Sequence, residues 1–293
     1  MQILLFGKHG QLGWELQRTL APLGHVVALD IPEIDFSRPE NVQETVLRIK
    51  PQIIINTSAY TAVDRAEDEP QIAMAVNGYA PGLLASLAAD LGVALIHYST
   101  DFVFDGGKGS PYRESDTPNP LNVYGRSKLA GEKAIQEVDR AYLILRTSWV
   151  YSMRGDSFVN KVLRWSRQQT KMRLVTDQVS NPTWARMLAE VTAQMIAKAD
   201  RDVSSWLHER RGLYHLAGSD FTSRLEWGKA ILRYDPHKEE QVAHEILPAQ
   251  TSDFETTAQR PLFSALNCEL FSDTFSLRMP PWKEMLQLAM SVK

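Results

Sequence analysis

A doubly wound α/β fold, a parallel sheet with helices on both faces, is predicted by three features of this sequence. Short runs of Ile, Val and Leu alternate with amphipathic stretches through the first half of the chain. The runs are apolar at successive positions, as in strands buried on both faces. A glycine-rich turn joins the first run to the first amphipathic stretch.

The elements follow in order. "QILLFG" is the first strand and "QLGWELQRTLAPLG" its helix; "HVVALD" and "PENVQETVLRIKP" repeat the pair. "QIIINTSA" is a further strand, followed by a long helical stretch, "EPQIAMAVNGYAPGLLASLAADLG". "ALIHYST", a helix from about Tyr124, and "AYLILRTSWVY" complete the rhythm. Residues 1–151 therefore read as one domain. Residues 152–293 read mainly as a smaller, mixed C-terminal lobe, with elements near 183–218 returning to the sheet. In that lobe "DSFVNKVLRWSRQQ", "WARMLAEVTAQMIAKA" and "PWKEMLQLAMSV" are helical, while "MRLVTDQVSNPT" is strand and loop and "GLYHLAG" a short strand.

Composition narrows the function. The 293 residues carry 32 Lys and Arg against 35 Asp and Glu, with no basic block, so nucleic acid is not an expected partner. Cys268 stands alone, which excludes an internal disulfide and a cysteine metal cluster. The N-terminus lacks the apolar core and cleavage site of a signal peptide. No uninterrupted apolar stretch reads as a bilayer span, so a cytoplasmic protein without a membrane partner is expected.

"FGKHGQLGWEL" places Gly7, Gly10 and Gly13 between the first strand and its helix. Glycines there allow a tight turn and close approach of a pyrophosphate to the positive helix N-terminus. Asp30, ending the second strand, stands where an acid accepts hydrogen bonds from an adenosine ribose, which favours NAD. Lys8, within the turn, offers charge to a 2′-phosphate instead, so NADH and NADPH both stay open. Ligands of such sheets bind beyond the carboxyl ends of the strands. That puts Ala59 near the cofactor, Tyr60 and Thr61 at the mouth, and Ser99, Thr100 and Asp101 at the end of another strand.

Tyr124 precedes Lys128 by four residues, so the two share a helix face. Spacing alone decides little, because Tyr234 and Lys238 repeat it with Pro236 between them.

Together, the glycine turn, Thr100 and the Tyr124–Lys128 pair resemble the extended short-chain dehydrogenase/reductases, which have a Rossmann-type sheet. "AYTAVDRAE", "YSTDFVFDG", "NVYGRSKLAGE", "ILRTSWVY", "DQVSNPT", "GLYHLAG" and the late Arg260–Pro261 are similar to one branch, the dTDP-4-dehydrorhamnose reductases. The resemblance implies NAD(P)H-dependent reduction of a dTDP-linked 4-keto-6-deoxysugar. It makes Tyr124 the proton donor, Lys128 the cation that lowers the phenol's pKa and binds the nicotinamide ribose, and Thr100 a second hydrogen-bond partner of the ketone. It implies cofactor contacts at Gly7, His9, Gly10, Gln11, Leu12, Gly13, Asp30, Asp35, Phe36, Ser37, Ser58, Ala59, Tyr60 and Ser99. Substrate contacts are implied at Thr61, Val63, Thr100, Asp101, Trp149, Asn160 and Arg260, with Lys161 a further candidate for the diphosphate. Asn181 to Thr183 are expected to shape the boundary between the lobes.

Related dehydratases carry an Asp-Glu pair after the threonine, whereas Asp101 is followed here by Phe102, which disfavours dehydration. Phe102 also replaces the tyrosine usual in this branch and leaves the sugar open: another nucleotide-linked 4-keto-6-deoxysugar is the alternative. A non-catalytic NAD(P)-binding regulatory subunit is the third reading. Some relatives bind magnesium at a homodimer interface. Glu15 and Glu190 fall in comparable stretches, but without a third ligand near the C-terminus they are weak candidates, and no metal is expected.

Overall fold

The computed structural model describes residues 1–199 and 202–291; Val292, the last residue of the expected final helix, lies outside them. Six strands, β1 (Gln2–Phe6), β2 (His25–Leu29), β3 (Ile53–Asn56), β4 (Ala94–Thr100), β5 (Tyr142–Thr147) and β10 (Gly212–His215), form one parallel sheet. Its order is β10-β5-β4-β3-β1-β2. The chain steps from β1 outward to β2, then crosses back over β1 to reach β3. The strand order therefore reverses beside β1, and a crevice opens at such a switch point.

Alternation along each strand divides the core into two layers. Ile3, Leu5, Ile53, Ile55, Ile96, Leu143 and Leu145 face one cluster, shared with helices α1 (Gln11–Thr19), α8 (Ala185–Ala197) and α12 (Trp282–Ser291). Leu4, Phe6, Ile54, Leu95 and Ile144 face the other, covered by α2 (Pro39–Ile49), α5 (Ala80–Leu91) and α6 (Val123–Val138). All of these strand residues are buried. At roughly 1.5–3 kcal/mol for each fully buried aliphatic side chain, the two layers dominate the energetics of the sheet.

Between β3 and α5 lie α3 (Val63–Asp68), α4 (Pro70–Met74) and a π-helical turn, Ala75–Tyr79. The helical run Pro70–Leu91 is 22 residues long, and an 18-residue window of it has a mean hydropathy of 1.4, long and apolar enough by those measures to cross a membrane. Asn77, Pro81 and Asp90 interrupt the run. Half of that window is buried inside the protein, where α5 packs on α2, α6 and the sheet, so its apolarity serves the core.

Beyond β5 the chain builds short strand pairs. β6 (Val150–Tyr151) pairs with β9 (Thr183–Trp184), β7 (Lys171–Val175) with β12 (Glu245–Ala249), and β8 (Val179–Ser180) with β11 (Thr222–Ser223). Helices α7 (Phe158–Ser166) and α10 (Arg224–Tyr234) pack together beside these pairs, while α9 (Val203–Glu209) lies against β4 and β5 and α11 (Glu269–Phe275) against β10. β10 rejoins the main sheet beside β5. α10 ends at Tyr234 and Lys238 begins a separate turn, so the second Tyr-x-x-x-Lys never shares a helix face.

Candidate active site

The site begins at the turn after β1. Gly7 has φ +88°, a left-handed conformation that L side chains rarely adopt, and a Cβ there would lie 2.8 Å from the backbone N of Ser58. A Cβ at Gly13 would lie 1.9 Å from the carbonyl oxygen of Gly7, so only glycine lets α1 start this close to the strand. Gly10 caps α1, and no side chain accepts a hydrogen bond there and no acid sits in the first turn. The helix N-terminus is therefore open to an anion.

From this turn a cleft of about 530 Å³ runs along the carboxyl ends of β1, β3, β4 and β5. Gly7, Gly10, Gln11, Leu12, Gly13, Asp30, Asp35, Phe36, Ser58, Ala59, Thr61, Ser99, Thr100, Asp101, Tyr124, Lys128 and Trp149 all line it. Four buried polar atoms of lining residues, Gln11 Oε1, Ser58 Oγ, Ser99 Oγ and Thr147 Oγ1, have no partner among the described residues. Unpaired buried groups of this kind suit a polar ligand such as a dinucleotide. Asp30 lies at the cofactor end, with Oδ2 accepting from the His9 amide at 3.0 Å and Oδ1 from the Ile31 amide at 2.9 Å. Lys8 is spent on Glu33, 2.5 Å away.

Besides Lys8, seven of the expected residues lie outside this lining. His9 contributes its amide to Asp30. Ser37 donates to Asp35 at 2.6 Å, and the Tyr60 hydroxyl donates to Glu69. Val63 opens α3. Asn160 donates to the Gly155 carbonyl at 2.8 Å. Arg260 makes a two-pronged ion pair with Asp64, at 3.1 and 2.6 Å, which uses the face expected to grip a diphosphate. Lys161 pairs with Asp156 at 3.1 Å.

α6 presents the Tyr–Lys pair. Asn122 caps it, Oδ1 accepting from the Gly125 amide at 2.8 Å while Nδ2 donates to the Gln259 carbonyl at 2.8 Å. Lys128, 1% exposed, donates to the Tyr98 carbonyl at 2.6 Å and lies 3.1 Å from His97 Nε2. Desolvation pulls its pKa down to about 8, with Glu132 opposing. Tyr124 is pushed up to about 12 by desolvation; a hydrogen bond with Thr100 acts against the rise, and the Asp101 charge adds to it. The expected lowering of the phenol by Lys128 is therefore not a feature of the ligand-free protein, because the lysine is turned to the strand. Phe102 packs edge-on against Tyr124, ring centroids 5.8 Å apart.

Asp101 is more engaged than a substrate contact alone would be. Its carboxylate accepts from Ser264 at 2.5 Å, Ser180 at 3.0 Å and Thr100 at 3.3 Å, and burial pushes its pKa up to about 6. Asn181 ties neighbouring segments of the lobe, donating to the Gly218 carbonyl at 2.9 Å and accepting from the Leu266 amide at 2.7 Å.

Trp149 adopts φ +40°, unusual for a bulky residue and a marker of imposed conformation. Its ring stacks on Trp227, and the Arg224 guanidinium lies 3.6 Å from its centroid. Arg224 was not singled out in the sequence, and neither were Thr57, Val76, Tyr98, Thr147, Ser148 and Val150; these six line the cleft, whereas Arg224 stands behind Trp149. Among the described residues the one His-carboxylate group close enough to hold a metal is His237, Glu239 and Glu240, all exposed. Glu15 and Glu190 are not in it, and Glu190 pairs with Arg186 at 2.9 Å.

Comparison with known proteins is decisive at the level of family. Residues 1–292 match the family described as the RmlD substrate binding domain. The chain is 43% identical over 292 residues to dTDP-4-dehydrorhamnose reductase of Escherichia coli K12, spanning 97% of this chain and 95% of that protein. It belongs to the dTDP-4-dehydrorhamnose reductase family. Solved members of that family superpose throughout. The Clostridium acetobutylicum protein gives a TM-score of 0.90 at 30% identity, covering 100% of this chain and 99% of that one. The Bacillus anthracis protein, solved in complex with NADP, gives 0.86 at 33% identity, covering 98% and 97%.

Proposed function

We propose that this protein reduces the C4 ketone of dTDP-4-dehydro-L-rhamnose to dTDP-L-rhamnose in the cytoplasm, using NADPH or NADH. The observation that carries the reading is the placement of Thr100, Tyr124 and Lys128 in one cleft with an open, glycine-lined helix N-terminus. Residues 1–151 are assigned to the cofactor and 152–293 mainly to the sugar nucleotide. A bound reduced nicotinamide supplies the hydride. Tyr124 gives its proton to the ketone oxygen as negative charge builds there, and Thr100 hydrogen-bonds the same oxygen. Lys128, as the ammonium, stabilises the phenolate that remains. A phenol resting at about 12 is a weak acid, so that nearby positive charge is required for the transfer. Trp149 presents an aromatic face to the sugar nucleotide, with the Arg224 cation behind it.

Turnover of the purified protein with reduced cofactor and dTDP-4-dehydro-L-rhamnose, followed by loss of nicotinamide absorbance, tests this. Turnover confined to another nucleotide-linked 4-keto-6-deoxysugar would replace the substrate and keep the chemistry. Phe102 against Tyr124 is the feature that favours this second reading. Cofactor binding without turnover of any such sugar would leave the regulatory-subunit reading.

A further inference from the structure

The hydrogen-bond chain behind Lys128 has a direction that can be read from one end. Asn56, at the end of β3, accepts from the Ser58 amide through Oδ1 at 3.0 Å. A backbone N–H needs an acceptor, so this fixes the orientation of the amide group. Asn56 Nδ2, a donor, then faces His97 Nδ1 at 3.1 Å. Nδ1 must accept, and the ring proton of a neutral imidazole must sit on Nε2. Nε2 lies 3.1 Å from Lys128 Nζ. Accepting that proton requires a lone pair on Nζ, which the amine has and the ammonium lacks. The hydrogen bond from Nζ to the Tyr98 carbonyl suits either form. Asn56, His97 and Lys128 are at most 1% exposed, so no bulk water relieves a mismatch.

We propose that His97 is a positioning residue that makes Lys128 a proton exchanger instead of a permanent cation. The chain Ser58–Asn56–His97–Lys128 is fully paired when Nζ is the amine, and the ammonium is held against one donor–donor contact. An imidazolium at position 97 would set an Nδ1–H against the Asn56 Nδ2 donor, so His97 stays neutral. The charged groups around Nζ do not reverse this. On α6, Glu132 is spent on a two-pronged pair with Arg146 of β5, at 2.8 and 2.6 Å. Tyr124 on the same helix is a neutral phenol. At the end of β4, Asp101 is engaged by Ser180, Ser264 and Thr100, and the Tyr98 hydroxyl turns away to Thr192 at 2.6 Å. Burial acts on Lys128 in the same direction as the His97 contact.

The proposal takes its chemical meaning from the reductase reading, but its first test needs no turnover. In cofactor-free, full-length protein labelled with 15N-histidine, long-range proton–nitrogen spectra should show His97 as the neutral Nε2–H tautomer, unchanged from about pH 6 to 8. An Nδ1–H tautomer or an imidazolium in that range overturns the proposal. The second test uses His97→Gln, whose amide can offer oxygen to Nζ and accept from the ammonium. Its alkaline limb of turnover should move up by about one pH unit. Asn56→Asp reverses the chain from the other end, since a carboxylate cannot donate to Nδ1, and should move the limb the same way. Limbs that stay in place in folded variants overturn the proposal. If neither variant folds, the wild-type tautomer decides alone. Wild-type protein without turnover would sink the reductase reading and leave the tautomer measurement standing.

Discussion

Asp101 is a buried carboxyl whose side-chain hydrogen-bond partners are neutral hydroxyls. With its pKa raised from 3.8 to about 6, the folded state holds the proton more tightly than the unfolded chain. Native protein then binds more protons between those values, so this group's contribution to stability is full in acid and is lost as pH rises through about 6. A shift of about two units corresponds to about 2–3 kcal/mol. Asp101→Asn should remove that dependence. Urea unfolding of both proteins should show the stability difference shifting in favour of the variant by about that amount between roughly pH 4 and 7. A difference independent of pH would show that Asp101 titrates normally. None of this was visible in the sequence, because the serines that hold the carboxylate are 79 and 163 residues away. Arg260 shows the same limit. Its side-chain type suits a diphosphate, but its partner Asp64 lies 196 residues away and only the folded chain brings the two together.

At the scale of elements, α6 presents the proposed proton donor, and a buried ion pair adds to its core packing and to the Lys128 hydrogen bond in holding it on the sheet. Glu132, one turn beyond Lys128, meets Arg146 of β5 with both groups 3% exposed or less. Removing one partner leaves an uncompensated buried charge, so Glu132→Ala should destabilise the protein by about 3–5 kcal/mol in denaturant unfolding. A loss below about 1 kcal/mol would mean that the pair is dispensable and that α6 is held by packing alone. The helix itself, its start near Tyr124 and the buried strands on either side were legible, because hydrophobic runs and amphipathic stretches are local signals. The direction in which Lys128 turns was not. Residue spacing shows which face of a helix a side chain occupies, but the His97 ring and the Tyr98 carbonyl that Lys128 meets belong to β4.

Across the whole molecule, the sheet order and the glycine turn define where a ligand enters, and segments beyond Tyr151 back the cleft, as Ser180 and Ser264 do for Asp101. The parallel sheet was readable because each strand is apolar on both faces. The lobe was read only coarsely, since its two-residue strand pairs carry no periodicity and Arg224 reaches Trp149 only through the packing of α10. These parts converge on one claim: a phenol at the start of α6 hands a proton to a ketone in this cleft. Comparing Tyr124→Phe and Lys128→Ala with the wild type for cofactor binding and for turnover of the 4-keto sugar nucleotide tests it most directly. Tyr124→Phe should bind cofactor normally and lose about 10²–10⁴-fold in turnover, while Lys128→Ala weakens both. Near-normal turnover by Tyr124→Phe would contradict the account.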